Sequence, residues 1–315
     1  MIDSSFMDGI RQLPESDWRA FEDVLKAALH SPYALLSSMD AYILNKPGKQ
    51  IRPALALAAA GVCGTLVPLT YAVAAIVEMI HTASLLHDDV ADNAQTRRGK
   101  NSVQKQFGPR AAIVLGDFWL ARALQLLLQH EGNHLISLYA DVVAELSEGE
   151  LMQMEKTKKQ NMLVTEYYAI CKKKTASLFR VSVVSGALSV PEKERAATYI
   201  PVLDKAAYHM GMAFQINDDL ADLESDLFGA KVTLPLLGAL LRAEGKEDLA
   251  PVHKYIRDLG HTYQATEQLL AFIDMYKGRE YAQKVANHHT ERARKHIMTL
   301  PQSVWRECLL HISGM

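Results

Sequence analysis

Apolar residues recur at helical spacing along almost the whole of this 315-residue chain. Trp18, Phe21, Val24, Leu25 and Ala28 form one such face, and comparable runs continue to residue 312. A period near 3.6 commits each segment to burying one stripe against other helices. Strand-like alternation is nearly absent, so the sequence predicts an all-α fold. The runs cover 16–30, 32–45, 52–63, 70–92, 110–130, 134–156, 164–188, 195–222, 232–243, 249–258, 262–277, 278–297 and 301–312. Breakers fall between them: Pro47-Gly48, Gly64, Pro68, Gly108-Pro109, Gly132-Asn133, Pro191, Gly229 and Pro301. No Pro/Gly/Ser-rich linker interrupts the series, so one large domain over residues 1–315 is expected.

The stretch from Pro53 to Val77 carries no charge and by length qualifies as a membrane span. Gly61, Gly64 and Pro68 break it, and much of it is alanine. Two closely packed core helices joined by a turn fit better, and no transmembrane segment is expected. Net charge is −2, which argues against nucleic acid as a partner. Cys63, Cys171 and Cys308 are scattered, with no CxxC spacing. Together with an N-terminus that lacks signal-peptide form, this points to a reducing, cytoplasmic setting.

Two acid clusters of one design stand 130 residues apart: Asp88-Asp89-Val90-Ala91-Asp92 and Asp218-Asp219-Leu220-Ala221-Asp222. Residues four apart share a helix face, so Asp88 projects with Asp92 and Asp218 with Asp222. Paired carboxylates repel unless a cation lies between them. Hard oxygen ligands with places left for water and phosphate suit Mg²⁺. One such cluster is usually a solvated face, but its recurrence behind apolar runs favours a cage for metal ions and a diphosphate.

Basic residues support the same ligand. Arg97-Arg98-Gly99-Lys100 follows the first cluster closely, and a guanidinium fork suits phosphate oxygens. Lys49, Arg52, Lys172 to Lys174 and Lys231 stand near structure breakers, and His81 lies two turns before Asp88. There is no P-loop and no GxGxxG. Phosphate would therefore be held by metals and side chains, which favours a diphosphate that departs.

These residues, with GKQIRP, GDFWLARAL, SEGELMQ, KKTASLF, GMAFQINDD and GAKVTLP in that order, resemble the trans-isoprenyl diphosphate synthases, the polyprenyl synthetase family. The resemblance runs from about Lys49 to Pro235. It implies an all-helical fold around a central cavity, a homodimer, three Mg²⁺ ions, and head-to-tail condensation of isopentenyl diphosphate with an allylic diphosphate. Asp88 and Asp92 resemble ligands of two ions, and Asp218 that of the third. Asp89, Asp219 and Asp222 would hold metal-linked water or orient neighbouring groups. Lys49, Arg52, His81 and Arg98 correspond to the isopentenyl diphosphate pocket, and Arg97, Lys174 and Lys231 to contacts on the allylic diphosphate. Thr175 and Gln215 resemble groups lining the reacting centre. The released diphosphate would take the proton, so no side-chain nucleophile is needed. In one respect the chain departs from the family pattern: only LESDLFGA separates Asp222 from Lys231, and the usual loop lysine is missing. Asp226 would supply an outer acid, and closure over the allylic diphosphate would be built differently.

Short-product members of the family carry an aromatic plug just before the first acid cluster. Here Ala83 and Ser84 are small, so the resemblance implies a deeper tunnel and a medium- or long-chain product. Ile80, Tyr139 or Phe118 would close it, and release of such a product implies transient membrane contact. Two other readings are a non-catalytic partner subunit of a heteromeric synthase and a class I terpene cyclase. Retention of both acid clusters disfavours the first. The second DDxAD with Lys49, Arg52 and Arg98 disfavours the second.

Overall fold

The structure, a computed structural model, describes residues 13–45, 48–130, 132–245, 249–260 and 262–314. The opening twelve residues and Pro47 lie outside the described residues. The chain is helical nearly throughout, as the periodicity predicts. It gathers into two compact units.

The first unit comprises residues up to Val143, Leu178–Lys205 and His296–Gly314. Its helices are α1 (Glu15–Leu29), α2 (Ala34–Leu44), α3 (Ile51–Cys63), α4 (Pro68–Ala91), α5 (Val103–Phe107) and α6 (Pro109–Gln129), with the start of α7 (Ile136–Lys159). α9 (Ser177–Ser189), the first half of α10 (Lys193–Ala221) and α16 (Val304–Ile312) complete it. The uncharged run divides as expected, between α3 and α4, at Gly64–Val67. Pro68 and Pro109 open helices, where a missing N–H costs nothing. Residues 54–60 of α3 are all fully buried. Small residues allow that: a Cβ on Gly186 of α9 would lie 2.2 Å from the Ala56 carbonyl oxygen, so the two backbones nearly touch. α4 packs against α1, α3 and α6. Both α4 and α6 are long and apolar enough to cross a membrane, but 72% of the apolar window of α4 is buried inside the protein. α6 differs, for Val114, Leu124 and Leu128 are exposed along one side.

A buried polar pair ties α2 to α6: the Trp119 indole donates to Asp40 at 2.8 Å. Burial pushes the Asp40 carboxyl up to about 6, against the lowering effects of the Trp119 bond and Arg122. A carboxyl raised above its unfolded value takes up a proton on folding. It therefore opposes folding above pH 6, and the opposition fades as pH falls toward 4. Asp40→Asn keeps the acceptor and removes the charge. It is expected to stabilise the protein by ~1–3 kcal/mol at pH 7 and by much less at pH 4, as read from urea melts at both pH values.

The second unit comprises Ala144–Ser177 and Ala206–Lys295. It holds the rest of α7 and α10, α8 (Val164–Cys171), a π-helical turn at Lys172–Ala176, and α11 (Leu223–Phe228). α12 (Leu234–Ala243), α13 (Ala250–Arg257), α14 (Tyr263–Met275) and α15 (Gly278–Ile297) follow, the last ending in the first unit. Its core gathers Met212, Ile216, Leu223, Leu234, Leu269 and Ile273. The run 164–188, read as one helix, is interrupted by the π turn. Gly149 and Gly211 make room for it: a Cβ on the first would meet the Lys174 nitrogen at 3.0 Å, and on the second the Ala176 Cα at 2.6 Å.

Candidate active site

In the first unit, the first acid cluster closes α4. Asp88 is partly buried and Asp92 exposed, while Asp89, one residue round the helix, is buried. The acids thus occupy a last turn, where unsatisfied carbonyls already carry partial negative charge. Carboxylates there weaken the helix unless a cation offsets them. Beyond Asp92 the chain forms a hairpin unforeseen in the sequence, Thr96–Arg97 paired antiparallel with Lys100–Asn101. Its two-residue loop is Arg98-Gly99, at φ +54° and +72°. Positive φ at both positions is what a type I′ turn requires. The basic run is therefore a fixed hairpin tip. Arg97 reaches back to Asp89, its Nε 2.9 Å from the carboxylate and its terminal nitrogen also in contact. Gln104 seals the junction, donating to the carbonyls of Asp89 and Ala94 at 2.7 and 2.8 Å.

Arg98 packs on the backbone before α3: a Cβ on Gly48 would fall 2.3 Å from its guanidinium carbon. Arg52 is buried on α3 and lies over the Phe179 ring at 5.3 Å. Lys49 is exposed, just before that helix. Burial, with the charges of Arg52, Arg98 and Arg97, holds His81 well below the usual imidazole range, so its ring is neutral. Glu78, buried one turn before His81, completes the group. Burial raises its carboxyl, while Arg52 and Arg98 pull it down. The sequence places Glu78 on the same helix line as His81 but does not mark it as the acid beneath two arginines. Of the residues assigned to product length, Ile80, Ala83 and Tyr139 are buried. Ser84 is partly exposed, its hydroxyl bonded to the His81 carbonyl at 2.8 Å, and Phe118 lies under the Arg122 guanidinium at 5.2 Å.

In the second unit the other cluster closes α10 in the same way. Asp218 and Asp222 are exposed and Asp219 is buried. Asp219 accepts from the Tyr167 hydroxyl at 2.5 Å and from the Gln215 amide at 2.7 Å. The Gln215 oxygen accepts the Thr175 hydroxyl at 2.5 Å. Thr175 and Gln215, forty residues apart, thus join in one chain of hydrogen bonds anchored on Asp219. Burial pushes the Asp219 carboxyl up to about 6, opposed by its two donors and by Lys231. Tyr167 leaves no signal in the sequence. Lys174 leaves the π turn to pair with Glu150 and to donate to Gln153 at 3.2 Å. Both partners belong to the SEGELMQ motif, three residues apart on α7.

Each cluster therefore has two outer acids on the open side of a helix end and an inner acid used as a brace. Among the described residues no three side chains of metal-ligating type converge. Mg²⁺ keeps most of its waters and takes one or two carboxylates plus substrate phosphate, so the paired outer acids of each cluster suit it.

Residues 33–233 match the family described as polyprenyl synthetase. The chain is 32% identical over 312 residues to an all-trans-nonaprenyl-diphosphate synthase (geranyl-diphosphate specific) of Rhodobacter capsulatus, covering 95% of this chain and 94% of that one. It is 31% identical to an octaprenyl diphosphate synthase of Haemophilus influenzae, covering 98% and 95%. Among solved structures it resembles a polyprenyl synthase from Caulobacter crescentus complexed with calcium and isoprenyl diphosphate. There the TM-score is 0.87 at 27% identity, over 97% of this chain and 95% of that one.

Proposed function

The chain belongs to the polyprenyl synthetase family, and from that premise we propose that it joins isopentenyl diphosphate to an allylic diphosphate, head to tail and trans. It is a prenyltransferase of isoprenoid biosynthesis, and its product is a medium- or long-chain polyprenyl diphosphate. The observation that carries this reading is the paired carboxylate design at the ends of α4 and α10. Like charges stand there in the turns least able to bear them, which has a use only when cations and a polyanion bind.

Asp88 and Asp92, and Asp218 with Asp222, would hold Mg²⁺, three ions in all. Bound Mg²⁺ supplies the charge that makes diphosphate a good leaving group. Lys49, Arg52, His81 and Arg98 bind the isopentenyl diphosphate head. His81 offers an N–H to it. Arg97, braced by Asp89, and Lys174 and Lys231 bind the allylic diphosphate. Thr175 and Gln215 line the reacting centre, and Asp219 holds the Gln215 amide in one orientation. Fixing the double bond beside the allylic carbon converts an encounter into a unimolecular step. Ser84 and Ala83 lie along the path of the growing tail. The working form is a homodimer, supported by the exposed Val114, Leu124 and Leu128 of α6. Three free, buried cysteines fit a cytoplasmic enzyme that meets the membrane only to release product.

The two-pocket assignment has a kinetic test. Arg98→Ala is expected to raise KM for isopentenyl diphosphate about tenfold or more, the worth of a charge-assisted bond, and to change that for the primer little. Gly48→Ala should act in the same direction without unfolding the protein, because its Cβ displaces only the flexible end of Arg98. Equal effects on both substrates from Arg98→Ala would contradict the assignment.

A further inference from the structure

Two helix ends in the second unit are bound to each other by a side chain the sequence does not single out. α11 ends in a Schellman arrangement. The Lys231 N–H donates to the Asp226 carbonyl at 2.8 Å and the Ala230 N–H to that of Leu227 at 3.0 Å. This ending needs a left-handed residue, and Ala230 takes that place at φ +60°. Glycine is the usual occupant, because a Cβ crowds the following carbonyl. Gly229 stands one position too early, at φ −78°. Ala230 is packed as well: a Cβ on Gly260 would lie 3.1 Å from its methyl.

α7 also ends on a left-handed residue that is not glycine. Gln160 has φ +50°, and its N–H donates to the Lys156 carbonyl at 2.9 Å. Its side chain turns over the helix end. The amide nitrogen donates to the Thr157 carbonyl at 2.7 Å and to the Ala230 carbonyl at 2.9 Å. The reversed amide would set an oxygen against two carbonyls, so these acceptors fix which way the group points. The amide oxygen is buried with no hydrogen-bond partner.

The carbonyl that Gln160 holds belongs to the peptide joining Ala230 to Lys231. The N–H of that same peptide is held by Asp226. Both polar atoms are therefore tied, so the peptide plane that leads into Lys231 is held in one orientation. Only eight residues separate Asp222 from Lys231, and α11 with its cap fills that span.

We infer that Gln160 is a positioning residue for Lys231: its amide locks the Ala230–Lys231 peptide and aims the ammonium at the allylic diphosphate. This rests on the reading of Lys231 given above. In a chain with a short segment here and alanine at the strained position, the clamp replaces what a longer loop would do by folding over the substrate.

Steady-state kinetics with each diphosphate varied in turn test this on Gln160→Met, Gln160→Ala and Lys231→Ala. Methionine fills nearly the same space and donates nothing. Both Gln160 variants are expected to raise KM for the allylic diphosphate about fivefold, the equivalent of ~1 kcal/mol for one lost hydrogen bond. KM for isopentenyl diphosphate should stay within about twofold on the same scale. Lys231→Ala should show the same selectivity, and more strongly. A wild-type Gln160→Met would overturn the inference, since packing alone would then explain the contact. So would equal changes for both substrates. If Lys231→Ala itself leaves the allylic KM unchanged, the reading of Lys231 fails and the clamp's purpose fails with it. Failure in the Gln160 variants alone removes only the clamp.

Discussion

Asp88→Ala and Asp218→Ala are each expected to cut prenyl transfer about a thousandfold or more, while the protein stays folded. A thousandfold is ~4 kcal/mol of barrier, the scale on which a metal stabilises developing charge. The cost to stability should be small beside that loss. Both acids lie in the closing turns of long helices, α4 and α10, and each repels a carboxylate one turn away. Metal-free variants should therefore melt close to the wild-type temperature, shifted by only the few tenths of a kcal/mol that such contacts are worth. Turnover and melting measured on the same preparations separate the two effects. A folded variant retaining more than about a tenth of wild-type turnover at saturating Mg²⁺, a loss of only ~1.4 kcal/mol, would contradict the role given to these acids.

Ser84→Phe is expected to shorten the product while leaving catalysis in place. Ser84 is one turn before Asp88 on the same face, about 6 Å along the helix at 1.5 Å per residue. It is partly exposed, and its hydroxyl is occupied only by the carbonyl of its own helix. A ring there meets a growing tail without touching a phosphate-binding group. Ala83 differs, being wholly buried. Ala83→Phe should shorten the product too, but with an overpacking cost of ~1–3 kcal/mol that Ser84→Phe largely escapes. Product sizing by mass spectrometry, read beside thermal melting, checks both. Unchanged chain length from a folded, active Ser84→Phe would remove this residue from the tunnel wall.

Much of this was legible in the sequence because the signals are local. A period of 3.6 marked the helices, Pro68 and Pro109 set two starts by the N–H they lack, and Gly64 follows the end of α3. The acid clusters declared themselves through the i, i+4 relation. The same geometry separates the outer acids from Asp89 and Asp219, which sit a hundred degrees round and turn inward. What these inner acids hold was less legible. Arg97 is eight residues from Asp89, but the hairpin that returns it rests on strands of two residues, too short for any alternation to register. Tyr167 is 52 residues from Asp219, and Gln160 is 70 from Ala230, so only the folded unit brings them together. The π turn leaves no local trace either. It is accommodated by two glycines on other helices, Gly149 and Gly211. Left-handed residues followed the same logic: Gly99 could be anticipated, whereas Arg98, Gln160 and Ala230 could not.

Addition of isopentenyl units to an allylic primer is the activity proposed for this chain. The measurement is incubation of the purified protein with Mg²⁺, farnesyl diphosphate and labelled isopentenyl diphosphate, followed by sizing of the extracted products. Labelled all-trans polyprenyl diphosphates several isoprene units longer than the primer are expected, and none when EDTA replaces Mg²⁺. No label incorporated with farnesyl, geranyl or dimethylallyl diphosphate would contradict it. So would consumption of farnesyl diphosphate alone to a cyclic hydrocarbon.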